Sequence, residues 1–130
     1  MTADLSARSR SNKAKGRGFE RATANFFQAA GFLWADRKTK RGARDPGDVT
    51  GIEDWTLECK NEKTINLAGA VDEATIEAAN AGTTWFAAII KRRGKNVRDA
   101  YVVMPLWLFI ELVKRLLGMT TACRHCGRAA

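Results

Sequence analysis

Three residues in the stretch DPGDVTGIEDWTLECKNEK, residues 45–63, have types and spacing that could support chemistry at a metal ion. Asp48 follows a glycine at the start of one predicted strand, and Glu58 and Lys60 lie two residues apart on the next. Side chains two apart on a strand point to the same face, so Glu58 and Lys60 share a face and Cys59 points to the other. Adjacent antiparallel strands would bring Asp48 close to this pair when the hairpin register allows it.

These oxygen donors are typical of a site for a hard divalent cation. Mg²⁺ binds carboxylate and carbonyl oxygens and keeps positions open for water and phosphate. We therefore expect the carboxylates of Asp48 and Glu58 and the backbone carbonyl of Cys59 to hold Mg²⁺ or Mn²⁺. Lys60 would stand beside the ion, where it can orient or activate a water and offset negative charge on a phosphate. The predicted chemistry is metal-assisted phosphodiester hydrolysis.

Other interpretations of the same stretch stay open at this stage. An aspartate, a glutamate and a lysine at such spacings also occur where two strand ends are merely solvated. The neighbouring Glu53, Asp54 and Glu62 are expected to be ordinary turn residues. Asp45 is the alternative to Asp48 as a ligand.

The elements that must position these residues follow from hydrophobic periodicity and from Gly and Pro. Apolar residues at spacings of three and four predict a first helix that Gly31 ends, and Pro105 and Gly118 mark the limits of a last helix. Apolar runs between turn signals predict strands. The predicted order is helix 15–30, strands 32–37, 48–52 and 56–60, helix 67–80, strands 84–92 and 100–104, and helix 106–117. This order is typical of an α/β domain with a central mixed β-sheet flanked by helices.

Length and composition favour a single folded domain. The chain has 130 residues, 45% of them hydrophobic, which is enough for one core and too few for two. We expect residues 13–118 to form this domain, between a basic, flexible N-terminal arm at 1–12 and a C-terminal tail at 119–130. The absence of a long apolar run or a signal peptide predicts a cytoplasmic protein without membrane contact. Three cysteines, two of them in CRHC, agree with a reducing compartment.

Positive charge is concentrated near the N-terminus. Residues 1–44 contain 11 Lys or Arg against 3 Asp or Glu, whereas residues 45–130 contain 11 of each. Such a basic block is typical of a protein that binds a phosphate backbone, although a solvated polar tail has the same composition. A second basic group surrounds the predicted turn between the last two strands, where a phosphate contact and a solvated turn are equally open. These residues are Lys91, Arg92, Arg93, Lys95 and Arg98.

Two segments of the chain resemble a known group of nucleases. The order GD followed ten residues later by ECK resembles the signature of the PD-(D/E)XK nucleases. The upstream segment KGRGFERATANFFQAAGF is similar to the first helix of the archaeal-type Holliday junction resolvases and their phage relatives. The resemblance runs from about residue 13 to 104. It implies a restriction-endonuclease-like domain and a Mg²⁺- or Mn²⁺-dependent endonuclease that resolves four-way DNA junctions.

The resemblance also implies roles for individual residues. Glu20 on the first helix would be a further metal ligand, so that Glu20, the two carboxylates above and Lys60 form the catalytic set. Arg41 and Arg44, in the basic loop KTKRGARDPG, are also candidates for DNA contact, but because of the charge of residues 1–44 and not through the resemblance. The basic residues of the first helix that would approach DNA are Lys15, Arg17 and Arg21.

The chain departs from the family pattern in two places. Gly47 separates Pro46 from Asp48, a variation that the family tolerates. The loop RGAR lacks the serine and glycine pair that archaeal resolvases tend to carry there. The resemblance therefore implies nothing about the role of this loop. Neither departure affects a proposed ligand.

The predicted last helix bears on the assembly of the protein. It is apolar over more than one face, with Trp107, Phe109 and Ile110 close together, which favours burial on two sides and a symmetric homodimer. A dimer would supply two active sites for the two strands of a junction. Two alternatives to a resolvase remain open: a restriction or repair-type nuclease that cuts ordinary duplex, and a catalytically silent DNA-binding module.

Overall fold

Helices and strands follow one another in the order that the sequence predicts. The computed structural model describes residues 2–37 and 47–119. Its helices are α1 (Thr2–Ala29), α2 (Leu67–Ala81) and α3 (Leu106–Leu116), and its strands are β1 (Asp36–Arg37), β2 (Val49–Thr50), β3 (Trp55–Lys60), β4 (Trp85–Ile90) and β5 (Tyr101–Val103), with a short 3₁₀ helix at Val97–Asp99. The expected α/β fold is confirmed.

One mixed sheet contains the five strands of the described residues, in the order β1-β2-β3-β4-β5. The pairs β1–β2, β2–β3 and β4–β5 are antiparallel, whereas β3 and β4 are parallel. A tight hairpin cannot join parallel strands, so the chain crosses from β3 to β4 through α2. The predicted central mixed sheet flanked by helices is therefore confirmed.

Alternation along β3 divides its side chains between the two faces of the sheet. Leu57 and Cys59 belong to the core cluster that contains Phe19 of α1. Glu58 and Lys60 point to the other face, which α2 covers. The neighbouring strand β4 is buried along its whole length, as expected for the centre of the sheet. The predicted opposition of Cys59 to Glu58 and Lys60 is therefore present in the fold.

Small side chains allow α2 to lie close to the sheet. Its buried residues are Ala70, Ala74 and Ala78, which form one stripe because they are spaced by four. Asn66 caps the helix, since its side-chain oxygen accepts the Gly69 N–H at 3.0 Å. The alanine stripe brings the polar residues beside it within reach of β3.

Helix α1 begins earlier than the sequence predicts. It starts at Thr2 rather than near Lys15, so residues 2–12, predicted to be a separate basic arm, lie within the helix. No Pro occurs in this segment and no Gly occurs before Gly16, so nothing in the sequence interrupts the helix. Neither α1 nor another described helix is long and apolar enough to cross a membrane.

Most of the segment predicted as a strand at 32–37 is a turn. Only its last two residues belong to a strand, β1. The Ala35 N–H donates to the Phe32 carbonyl at 3.0 Å. The ring of Phe32 packs edge-on against Phe27, with the ring centroids 5.5 Å apart. These contacts turn the chain back over the end of α1 and leave Trp34 exposed.

Gly51 allows two loops to touch at this point. It lies between β2 and β3 with a φ of +86°, and a Cβ there would lie 1.9 Å from the carbonyl oxygen of Trp34. No side chain fits in this space. Glycine therefore lets the β2–β3 turn lie directly against the loop that precedes β1.

Gly51→Ala should destabilise the protein more than a glycine substitution that meets only backbone strain. Gly82 is the matched control, because its φ is +71° but a Cβ there would meet nothing within 4 Å. We expect Gly51→Ala to lower the free energy of unfolding by roughly 3 kcal/mol or more, and Gly82→Ala by about 1 kcal/mol. Urea unfolding measures both values, and equal losses would contradict the packing role of Gly51.

Candidate functional site

The pairing of β2 with β3 brings Asp48 beside Glu58. Val49 faces Leu57 in the antiparallel register. Asp48, the residue before β2, comes within reach of the Glu58 side chain. The Asp48 N–H donates to the Leu57 carbonyl at 2.8 Å, and the Asp48 carboxylate accepts the Cys59 N–H at 2.7 Å. The aspartate side chain thus takes the place of a backbone acceptor just before β2 begins.

Gly47 lets the chain enter this position. Its φ is +108°, and a Cβ there would lie 3.0 Å from the carbonyl oxygen of Leu57 and 3.1 Å from the side chain of Thr56. The positive φ and the close approach both favour glycine. The glycine that separates Pro46 from Asp48 in the sequence therefore has a structural reason.

Burial and a neighbouring carboxyl group raise the pKa of both Asp48 and Glu58, but the neighbour differs between the two. Glu58 is 6% exposed. Burial, and then the charge of Glu58, raises the pKa of Asp48 to about 8. Burial, and then the neighbouring Glu77 of α2, raises the pKa of Glu58 to about 8, although Lys60 acts in the opposite direction. At neutral pH the pair therefore either retains protons or requires a cation.

Lys60 supplies a positive charge beside Glu58. Its Nζ lies 3.3 Å from Oε1 of Glu58 and 2.5 Å from Oε2 of Glu73 on α2. Burial lowers the pKa of Lys60, but the hydrogen bond to Glu73 and the charge of Glu58 outweigh burial and raise the pKa above its ordinary value. Lys60 therefore remains charged between two carboxylates.

The sequence interpretation missed the two glutamates that α2 adds to this cluster. Glu73 contacts Lys60, and Glu77 acts on the pKa of Glu58. The two glutamates are four apart and thus share one side of the helix. Each directly precedes an alanine of the buried stripe, Ala74 or Ala78. That pattern is visible in the sequence and could have indicated that both lie at the border with the sheet.

Glu20, the ligand implied by the family resemblance, comes near the site but is already paired. Its Oε2 accepts the Nε–H of Arg37 at 2.7 Å, which joins α1 to β1. Its charge adds to the rise in the pKa of Asp48, after burial and Glu58. The proximity to Asp48 agrees with the expected placement, but a ligand role would require Arg37 to release the carboxylate.

The described residues fit a divalent cation in part. Within residues 2–37 and 47–119, no three His, Cys, Asp or Glu side chains are grouped to hold a metal ion. Two carboxylates do meet, and the buried Oε2 of Glu58 has no hydrogen-bond partner in this part of the chain. The N–H and C=O of a strand residue point to the same side, so the Cys59 carbonyl lies on the side of Asp48. Asp48, Glu58 and this carbonyl are the oxygen donors available to a hard cation.

Basic residues of α1 lie beside the same end of β3. Asn61, just after β3, donates through Nδ2 to the Lys15 carbonyl at 3.3 Å. Lys15 and Arg17 are exposed. Arg21 is instead paired with Asp36 at 2.7 Å, which offsets its charge. Of the three DNA contacts predicted on α1, Lys15 and Arg17 are therefore better placed than Arg21.

Several residues singled out in the sequence lie outside the described residues. These are Arg41 and Arg44 of the basic loop, the alternative ligand Asp45, and the CRHC motif at 123–126.

Comparisons of the chain with protein-family models, with curated proteins and with solved structures found no match.

The raised pKa values predict that the metal-free protein loses stability as pH rises. Asp48 and Glu58 bind a proton more tightly in the folded chain than in the unfolded chain. Their contribution is therefore complete below about pH 4 and is lost as pH rises through about 8. In EDTA, we expect Asp48→Asn to raise Tm at pH 8 by about 4 °C or more, and this gain should vanish near pH 4.

Thermal unfolding followed by circular dichroism measures this dependence. Asp72→Asn is the matched control, because Asp72 is exposed on α2 and should change Tm little at either pH. Added Mg²⁺ or Mn²⁺ should raise the Tm of the wild type at pH 8 more than that of Asp48→Asn. A Tm difference that does not depend on pH would contradict the electrostatic description of the pair.

Proposed function

We propose that this chain is a metal-dependent endonuclease of the PD-(D/E)XK type, which hydrolyses phosphodiester bonds in DNA. The observation that supports this proposal most directly is the proximity of Asp48 to Glu58 at the start of β2, with Lys60 beside Glu58. The charge of Glu58 disfavours ionisation of Asp48, and Glu77 disfavours ionisation of Glu58. A site that binds a divalent cation and then a phosphate group would account for this arrangement.

Each residue has a separate part in the proposed reaction. Asp48 and Glu58, with the Cys59 carbonyl, would hold Mg²⁺ or Mn²⁺. When bound, such an ion lowers the pKa of a water and offsets negative charge on the phosphate. Lys60 adds a fixed positive charge where charge develops on a phosphate oxygen. Its ion pairs with Glu58 and Glu73 keep the ammonium charged and restrict its position.

Branched DNA is the proposed substrate, and a four-way junction is its specific form. The exposed Lys15 and Arg17 beside the site support a phosphate-rich substrate. The preference for junctions rests on the resemblance of α1 and of the GD and ECK motifs to junction resolvases. Resolution of a junction requires nicks in two strands related by a two-fold axis, and two copies of the chain would provide the two sites.

Cleavage assays with single substitutions test the proposed active site. Asp48→Asn and Glu58→Gln should each reduce Mg²⁺-dependent cleavage by at least about 100-fold, and Lys60→Ala should lower kcat far more than it weakens DNA binding. Binding should survive in all three variants because the basic surface is unchanged. The assay compares an immobile four-way junction with linear duplex of the same sequence.

The controls and outcomes of this assay separate the alternatives. Glu62→Gln and Asp72→Asn remove exposed carboxylates outside the cluster and should leave cleavage unchanged. Equal cleavage of linear duplex would favour a restriction or repair-type nuclease over a resolvase. DNA binding by a wild type that never cuts would leave the silent DNA-binding module. Full activity of Asp48→Asn and Glu58→Gln would refute the site.

The surface of α3 supports the proposed homodimer. Leu108 is buried against the sheet, whereas Trp107 is 60% and Phe109 is 50% exposed. The side chain of Val102 on the neighbouring edge strand β5 is exposed as well. The second apolar face that the sequence predicts for α3 is thus open in a single chain, and a second copy could cover it.

Light scattering should give a mass near twice 14.3 kDa. Phe109→Glu should shift the protein to the monomer, because it places a charge in the middle of the exposed apolar surface of α3. Ile76→Glu is the matched control, since Ile76 is 62% exposed but lies on α2. A monomeric wild type would contradict the dimer, and so would equal effects of the two substitutions.

A further inference from the structure

The turn that follows β4 brings five basic residues to the end of the sheet where Lys60 lies. Because β3 and β4 are parallel, their carboxyl ends lie side by side, with Lys60 next to Ile90. The N–H of the following residue, Lys91, donates to the Lys60 carbonyl at 2.9 Å. The basic turn, residues 91–98, thus begins at a residue that is hydrogen-bonded to the backbone of Lys60. Its basic residues are Lys91, Arg92, Arg93, Lys95 and Arg98.

Lys91 and Arg92 stabilise the conformation of the basic turn. Nζ of Lys91 donates to the carbonyls of Lys95 at 2.6 Å and of Arg92 at 3.3 Å, so this ammonium points into the turn. The Lys95 N–H donates to the Arg92 carbonyl at 3.1 Å. Gly94 has a φ of +70°, the conformation that a type II turn requires at its third residue. The guanidinium of Arg92 lies 5.9 Å from the ring centroid of Tyr101.

The other three cations point to solvent and have no acidic partner among the described residues. Arg93, Lys95 and Arg98 are exposed, and no ion pair within residues 2–37 and 47–119 includes them. Arg21 and Lys114, by contrast, are each paired with a carboxylate. The charge of a cation without an ion pair is available to a ligand. Less conformational entropy is lost on binding when the backbone of the turn is already ordered.

The basic turn and the basic residues of α1 adjoin one another. Val97, within the turn, packs against the core cluster that contains Phe19 of α1. The Lys15 carbonyl of α1 accepts a hydrogen bond from Asn61, the residue after Lys60. Exposed cations from two distant parts of the sequence therefore surround the end of β3.

We propose that the basic turn, through Arg93, Lys95 and Arg98, binds the phosphate backbone of the DNA strand that occupies the site. This inference rests on the proposed nuclease function and adds a second DNA contact to the one expected on α1. Arg93 is three residues beyond Ile90, a span of at most about 10 Å of extended chain. Phosphates repeat about every 3.4 Å along the axis of one strand, so the turn reaches phosphates only a few nucleotides from the one beside Lys60.

The salt dependence of DNA binding tests this contact. Binding is measured in the Asp48→Asn background, so that cleavage does not interfere, and log Kd is plotted against log salt concentration. Removal of two phosphate contacts in Arg93→Gln/Lys95→Gln should flatten the slope by up to about 1.8, since each contact contributes roughly 0.9. Arg98→Gln should reduce the slope by up to about 0.9 more.

A double variant at the other end of the sheet is the matched control. Lys114→Gln/Arg115→Gln removes the same charge from α3, where Arg115 lies over Trp85 at the start of β4. Its slope should equal that of the parent protein. An equal flattening in both double variants would indicate a general effect of net charge and would overturn the proposal.

The outcomes distinguish failure of this inference from failure of the proposed function. If the wild type cuts DNA and Asp48→Asn does not, an unchanged slope in Arg93→Gln/Lys95→Gln refutes the basic turn as a contact and leaves the nuclease intact. If the wild type neither cuts nor binds DNA, the proposed function fails and this inference fails with it. The substituted side chains are exposed, so circular dichroism should confirm an unchanged fold.

Discussion

The hydrogen bond between the Asp48 carboxylate and the Cys59 N–H is the interaction on which the site depends. Strand β2 has only two residues, and its pairing with β3 rests on the single register of Val49 with Leu57. The aspartate side chain extends this pairing by one bond. A slip of one residue would turn every side chain of β2 to the other face, and the carboxylate would no longer lie beside Glu58.

The same arrangement carries an electrostatic cost. Burial and the charge of Glu58 make ionisation of Asp48 unfavourable near neutral pH, and burial and Glu77 do the same for Glu58. Lys60 offsets part of this repulsion but is shared with Glu73. The core around Leu57 and the stripe of alanines on α2 supply the packing that holds these groups together despite their repulsion. A bound cation would relieve this repulsion.

Much of the fold could be predicted because Gly, Pro and hydrophobic period mark its elements, and the alternation in TLECK correctly placed Glu58 and Lys60 on one face. The predicted strand at 32–37 was wrong over most of its length, because the contact of Phe32 with the end of α1 overrides local strand preference. The pairing of Glu20 with Arg37 could not be predicted either, since it depends on where β1 lies relative to α1. Local pattern therefore specified most of the strands, whereas tertiary contacts limited the first strand and specified the partners of the charges.

The count of charges along the sequence does not reveal the electrostatics of the surface around the site. Residues 45–130 contain equal numbers of acidic and basic side chains, but Glu58 is buried whereas Arg93 and Lys95 are exposed. An approaching strand meets the exposed charges first, since screening limits interactions in solution to about 10 Å at 0.1 M salt. In the proposed nuclease, the cations of α1 and the basic turn attract the backbone from a distance. At contact range, Asp48 and Glu58 would repel the phosphate unless a divalent ion reversed the local sign. Under the proposed function, the two charge patterns would therefore be complementary parts of one mechanism, in which exposed cations bring DNA to the site and buried carboxylates select a cation to receive it.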